Sequence, residues 1–263
     1  MTLTSTHSKR ATHQKSSSGD VARKERRDAV SGVDSSTFGE GVRLLPTSIQ
    51  DDVRQLYYVL RTIDDLVDDA HPDAPSRLAA VERWAHGDPA NTKETTMLDH
   101  LASRHLFDRE ALLEFCEGMR HDLAGGCIAD EAALERYCQQ AGGSVGVLLA
   151  GLLGGHSPEC STKMAALGRA MQRTNILRDI DEDRANGRVY IAKTTIRLYG
   201  FPIAGARESL LRDQIARADA LYEQGLPAVD MLSNGSEAMG LATTLYRKIL
   251  REIEGREYGI EPK

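Results

Sequence analysis

Asp64-Asp65-Leu66-Val67-Asp68-Asp69 and Asp179-Ile180-Asp181-Glu182-Asp183 are two acidic clusters more than one hundred residues apart, each inside a run with helical apolar spacing. In each, two aspartates stand four residues apart: Asp64 with Asp68, and Asp179 with Asp183. On a helix that spacing means about 40° of rotation and roughly 6 Å of rise, so both carboxylates project from one face. Such a face is a ligand set for a hard divalent cation. One cluster alone fits a solvated helix end. Two, each with polar residues one turn back on the same stripe, point to magnesium ions holding a diphosphate between facing helices.

The elements that must position these groups are legible around them. Ile49, Val53, Leu56, Leu60, Ile63 and Val67 recur at steps of four and three, a stripe that has to pack against other helices. Beside it runs a second stripe: Tyr57, Arg61, Asp64 and Asp68. Four acids at the C-terminal end of a helix oppose the macrodipole and repel one another, a cost that a cation relieves. The second run repeats the design, with Gln172, Asn175, Asp179 and Asp183 on one stripe and Leu167, Met171, Thr174 and Ile180 toward the packing side. Ser157-Pro158-Glu159 reads as the start of that helix, and the acidic cluster is expected at its far end. Asn175 offers a neutral oxygen ligand or an amide donor. Arg61 and Arg178 add forked, permanently charged donors suited to phosphate oxygens.

Composition bounds the rest. With 263 residues, 41% hydrophobic content and a net charge of -6, the chain is expected to form one globular domain. No basic stripe follows the N-terminal leader, so nucleic acid is not an expected partner. Cys116, Cys127, Cys138 and Cys160 form no C-x-x-C pair, which fits reduced thiols in a cytoplasmic setting. The longest apolar stretch, Val145 to Leu153, is far shorter than the roughly 20 residues of a membrane span, so any bilayer contact, for instance in releasing a lipid product, would be peripheral. Residues 1–33 are rich in Ser, Thr, Lys and Arg and are expected to be a disordered leader, with the domain at 34–263. As an organelle-targeting segment the leader lacks an apolar face. From Ser35 onward the spacing is helical, broken at His71-Pro72-Asp73, Gly87-Asp88-Pro89 and His156-Ser157-Pro158, with no period-two strand: an all-α bundle.

Ser35-Ser36-Thr37-Phe38, Arg43-Leu44-Leu45-Pro46, Arg61 to Asp69, Tyr137-Cys138 with Ala141 to Gly146, and Gln172 to Asp183 with Gly187-Arg188-Val189-Tyr190 together resemble the squalene/phytoene synthase family, in order and spacing. The resemblance implies an isoprenoid synthase fold, a single helical bundle around a central cavity, joining two prenyl diphosphates (farnesyl or geranylgeranyl) head to head. It implies magnesium ligands at Asp64, Asp68, Asn175, Asp179 and Asp183, and diphosphate-side roles for Arg61, Gln172, Arg178, Arg188 and Tyr190. Tyr57, Tyr137 and Tyr246 fall where the family places tyrosines near the reacting carbons or the diphosphate. Ser35 and Thr37 belong to its first phosphate-contacting motif. By the same resemblance the reaction passes through a cyclopropylcarbinyl diphosphate to a phytoene-type triene or, with NADPH, to squalene. No Gly-rich nucleotide loop supports NADPH, but reducing members of the family lack one too.

Gly142, Gly143, Gly146, Gly151, Gly154 and Gly155 crowd one stretch, at up to about 1 kcal/mol each relative to Ala inside a helix. Two readings offset that cost: close helix packing, or space for prenyl tails beside Ala141, Gly142 and Gly146. The chain departs from the family pattern at Ser36, commonly lysine, at Thr37, commonly serine, and at Ala192, commonly proline. Two rival functions remain: cyclisation of one prenyl diphosphate, and a non-catalytic assembly role. Proteins of the latter kind characteristically lose the aspartates retained here.

Overall fold

A computed structural model describes residues 41–258; the leader, Ser35 and Thr37 lie outside the described residues. Within them the chain forms helices and no strand, as the spacing predicts. In chain order these are α1 (Thr47–Asp68), α2 (Ala74–Ala85), α3 (Lys93–Arg104), α4 (Arg109–Leu123), α5 (Glu131–Cys138), α6 (Ser144–Leu152), α7 (Pro158–Arg178), α8 (Ile180–Ala185), α9 (Lys193–Tyr199), α10 (Glu208–Gly225) and α11 (Ser236–Gly255). A π-helical turn, Gln139–Gly143, joins α5 to α6, and a 3-10 turn, Leu226–Met231, follows α10.

The stripe read from the sequence is the buried face of α1: Val53, Leu56, Leu60, Ile63 and Val67 are all core residues. Asp52 is buried on the same helix without being orphaned. Its carboxylate accepts from Arg104 at 3.1 Å and pairs with His105 Nε2 at 2.8 Å, fastening α1 to the end of α3.

Helix α7 is the central pillar, packed against α6, the π-turn, α10 and α11. It starts as predicted: the Ser157 side chain accepts from Cys160 N–H at 3.1 Å, and Pro158 stands at the first helical position. It buries residues around most of its circumference, including Arg173, which is only 4% exposed. That guanidinium donates to Gln214 Oε1 at 2.8 Å, Glu135 Oε2 at 3.0 Å and Glu131 Oε2 at 3.2 Å, so a fully engaged charge ties α5, α7 and α10 together.

One expectation is corrected. The second acidic cluster is not the end of an unbroken helix: α7 stops at Arg178, Asp179 lies between helices, and Asp181, Glu182 and Asp183 sit in the first turn of α8. There the acids complement the positive helix end rather than oppose it. The break is slight, because Asp183 N–H still donates to the Asp179 carbonyl at 2.8 Å, which preserves the four-residue register of the two carboxylates.

Candidate active site

Helices α1, α4, α6, α7 and α11, with the π-turn, enclose a cavity of about 1510 Å³. Part of its wall is apolar, with Leu56, Leu60, Phe115, Met119, Val145, Leu149, Met164, Leu167 and Met239, and charged side chains, Arg77 and Lys93 among them, line the rest. Tyr57, Arg61 and Asp64 from α1 line it, opposite Gln172, Asn175 and Arg178 from α7, with Tyr137 and Tyr246 on further elements. Asp68, Asp179, Asp183, Arg188 and Tyr190 do not line the cavity but stand around this polar group, connected to it by the contacts below.

Each acidic wall is met by arginines. Arg61 donates to Asp64 Oδ2 at 2.9 Å and reaches Asp65 Oδ1 at 2.7 Å. Arg178 holds Asp179 through two donors, at 2.7 and 2.6 Å. Arg188, which follows α8, crosses to the opposite wall, bonding the Asp68 carboxylate and donating to the Asp68 backbone oxygen at 3.2 Å. The two aspartate sets therefore share one electrostatic site. Burial and the neighbouring Asp68 push the Asp64 carboxyl up to about 7, and burial with Asp179 pushes Asp183 up to about 6. These are carboxylates short of positive charge. The Asn175 side chain bonds Tyr246, yet its buried Oδ1 accepts from no partner. Among the described residues no three carboxylates, imidazoles or thiols converge on a single point. The donors are distributed over two walls, so an ion here would complete its shell from a bound ligand. Crowded carboxylates beside an orphaned amide oxygen are a donor set that fits magnesium.

Sequence reasoning missed Asp122, at the end of α4. Its Oδ1 accepts from Tyr190 OH at 2.9 Å and its Oδ2 from Tyr137 OH at 3.1 Å, and the two rings stack with centroids 5.1 Å apart. Burial beside Asp122 raises both phenols, so each remains a protonated donor. A lone acid in Arg120-His121-Asp122-Leu123 has no partner at helical spacing, and nothing in the linear pattern singled it out.

The glycine-rich stretch also becomes explicable. A Cβ on Gly142 would collide with the Gly168 carbonyl of α7, and one on Gly146 with the Met164 carbonyl. Close backbone approach therefore requires both glycines. The same residues, with Ala141, border the cavity, so the packing that excludes a side chain also shapes the space beside it. The π-turn at Gln139–Gly143 is a local feature often found beside functional sites.

Comparison with known proteins adds an independent line. The squalene/phytoene synthase profile matches residues 33–262. The chain is 34% identical over 231 residues to the phytoene synthase of Thermus thermophilus, covering 83% of this chain and 79% of that one. It is also 34% identical over 184 residues to the presqualene diphosphate synthase of Zymomonas mobilis, covering 66% of this chain and 62% of that protein's length. A solved dehydrosqualene synthase superposes with a TM-score of 0.81 at 23% identity, covering 92% and 90% of the two chains, which speaks for the fold. With its helices around this cavity and a family match spanning nearly the whole length, the chain belongs to the squalene/phytoene synthase family.

Proposed function

We propose that the protein condenses two prenyl diphosphates head to head into a linear hydrocarbon, the phytoene-type product being the reading we favour. The observation that carries this is the joining of a large cavity with an apolar wall to two arginine-paired aspartate walls. At about 1510 Å³ the cavity exceeds the roughly 300–1,000 Å³ of pockets for drug-sized ligands and has room for two prenyl chains.

Asp64, Asp68, Asn175, Asp179 and Asp183 would hold magnesium, which when bound supplies Lewis-acid stabilisation of the departing pyrophosphate. The chain's own residues do the remainder. Arg61, Arg178 and Arg188, each now on an aspartate, exchange carboxylate for phosphate oxygens when a diphosphate enters, with Gln172 beside them. This places guanidinium charge where the leaving group becomes negative. Loss of pyrophosphate leaves an allylic cation. The apolar walls exclude water, and the double bond of the second chain attacks instead. Tyr137, fixed by Asp122 and stacked on Tyr190, and Tyr57 and Tyr246 present aromatic faces and phenols to that region. The attack leaves a tertiary cation, which loses a proton to close a three-membered ring; the cyclopropylcarbinyl diphosphate so formed then loses its own pyrophosphate and rearranges. Loss of a proton closes the phytoene-type branch, whereas hydride from NADPH would give squalene, and product mass with and without NADPH separates the two.

Asp64→Ala and Asp179→Ala test the reading. Both proteins are expected to fold and to lose turnover of farnesyl and geranylgeranyl diphosphate by at least about a hundredfold; full turnover in either would sink the metal-diphosphate site.

A further inference from the structure

Between Asp183 and Glu208 the chain carries Arg184, Arg188, Lys193, Arg197 and Arg207 and not one acid, although the protein's net charge is -6. Arg188 is engaged with Asp68, and Arg184 and Arg207 with Asp181. Lys193 and Arg197 stand exposed on α9 with no ion pair among the described residues. Beside them three large apolar side chains face solvent: Leu198 is 72% exposed, Phe201 46% and Ile203 46%. The turn presenting them is well defined. Gly200 ends α9 at φ 92°, Pro202 is buried, Ile203 N–H donates to the Phe201 carbonyl at 2.8 Å, and Ala206 N–H donates to that of Ile203 at 3.1 Å. Clustered apolar exposure of this kind marks a surface that something covers.

We propose that α9 and the turn after it dock on a bilayer containing anionic phospholipid. Leu198, Phe201 and Ile203 enter the boundary between headgroups and acyl chains, and Lys193 and Arg197 pair with lipid phosphates. A two-fold contact of this face with a second copy would bring one cationic patch against another, which disfavours that occupant. Among the described residues no helix is long and apolar enough to cross a membrane, so the contact is peripheral. Phe201 and Pro202 share a small pocket with Asp183, Arg188 and Tyr190, so the docking surface adjoins the polar end of the active site. A prenyl diphosphate dissolved in a bilayer holds its diphosphate at headgroup level, beside that rim. The match of surface to substrate rests on the proposed function; the binding itself does not.

The test is co-sedimentation of the full chain with vesicles of phosphatidylcholine alone or mixed with phosphatidylglycerol, alongside a variant carrying Arg197→Glu and Leu198→Glu. The wild type is expected to bind the mixed vesicles, and to bind more weakly in about 0.5 M salt, where charges are screened. A cation near an anionic surface strengthens binding about fivefold, so reversing Arg197 and removing Leu198 should weaken it at least about tenfold with an unchanged thermal melt. Wild type that binds neither vesicle overturns the proposal, as does a variant that binds equally well. So does a wild-type dimer that the variant dissolves into monomers. Turnover of detergent-dispersed substrate is read on the same proteins: vesicle binding without turnover would refute the reaction and keep the surface, and turnover without vesicle binding the reverse.

Discussion

Replacing Asp64 by asparagine is expected to stabilise the metal-free fold while abolishing turnover. Burial and the nearby Asp68 hold the Asp64 carboxyl at about 7 instead of 3.8, and at about 1.4 kcal/mol per pH unit the cost of ionising it approaches a ceiling of about 4 kcal/mol. The side chain is 34% exposed, so solvent screens part of that, and about 2 kcal/mol is the expected gain. The sign follows from linkage. A carboxyl with a raised folded-state pKa adds no cost near pH 4, costs progressively more as pH rises toward 7, and reaches a plateau above it. Asparagine carries no such cost, and Arg61 keeps its bond to Asp65. In a domain of this size about 2 kcal/mol raises Tm by about 4–8 °C. Thermal melts in chelator should show that gain at pH 8 and about half of it or less at pH 5. An unchanged or lower Tm at pH 8, or a gain independent of pH, would refute the argument that Asp64 is held against its own ionisation for function.

Three further outcomes are expected. Asp122→Ala should lower kcat at least about tenfold with KM within about threefold, because two phenols lose their common acceptor; Asp122→Asn should recover part of the loss, and steady-state kinetics on the pair would decide it. Gly146→Ala, whose Cβ would meet the Met164 carbonyl, should cost about 1–3 kcal/mol in chemical denaturation as α6 and α7 are forced apart. Arg173→Leu should cost about 1–3 kcal/mol in the same assay by taking their shared cation from the half-buried Glu131 and Glu135, of which Glu135 keeps Arg169, and no measurable loss would mean that the network is replaceable.

How much of this was legible in the sequence depended on whether the information lay within one helix. The α1 stripe and the alignment of Tyr57, Arg61, Asp64 and Asp68 follow from periodicity alone: the apolar stripe is buried, and Tyr57, Arg61 and Asp64 line the cavity, with Asp68 outside it. The Ser157 cap was likewise visible, because a cap is made by neighbours in the chain. The break at Asp179 was not, since the pattern of Gln172, Asn175, Asp179 and Asp183 is the same for a straight helix and for two helices in register. Contacts between helices were beyond periodicity altogether. Arg188 reaches Asp68 across 120 positions, and Asp122 gathers two tyrosines from other elements. The glycines stood in between. Their cost announced that something offsets it, but only the collisions with the α7 backbone showed that close packing is part of the answer.

The central claim is that two prenyl diphosphates are joined with both carbon skeletons retained. The most direct test incubates the purified chain with magnesium and an equal mixture of unlabelled and fully deuterated geranylgeranyl diphosphate, then repeats it with farnesyl diphosphate, and weighs the hydrocarbons formed. The account predicts, for at least one substrate, a linear hydrocarbon in three mass classes: unlabelled, mixed and fully labelled. A product in only two classes, carrying the skeleton of one substrate molecule, would contradict it.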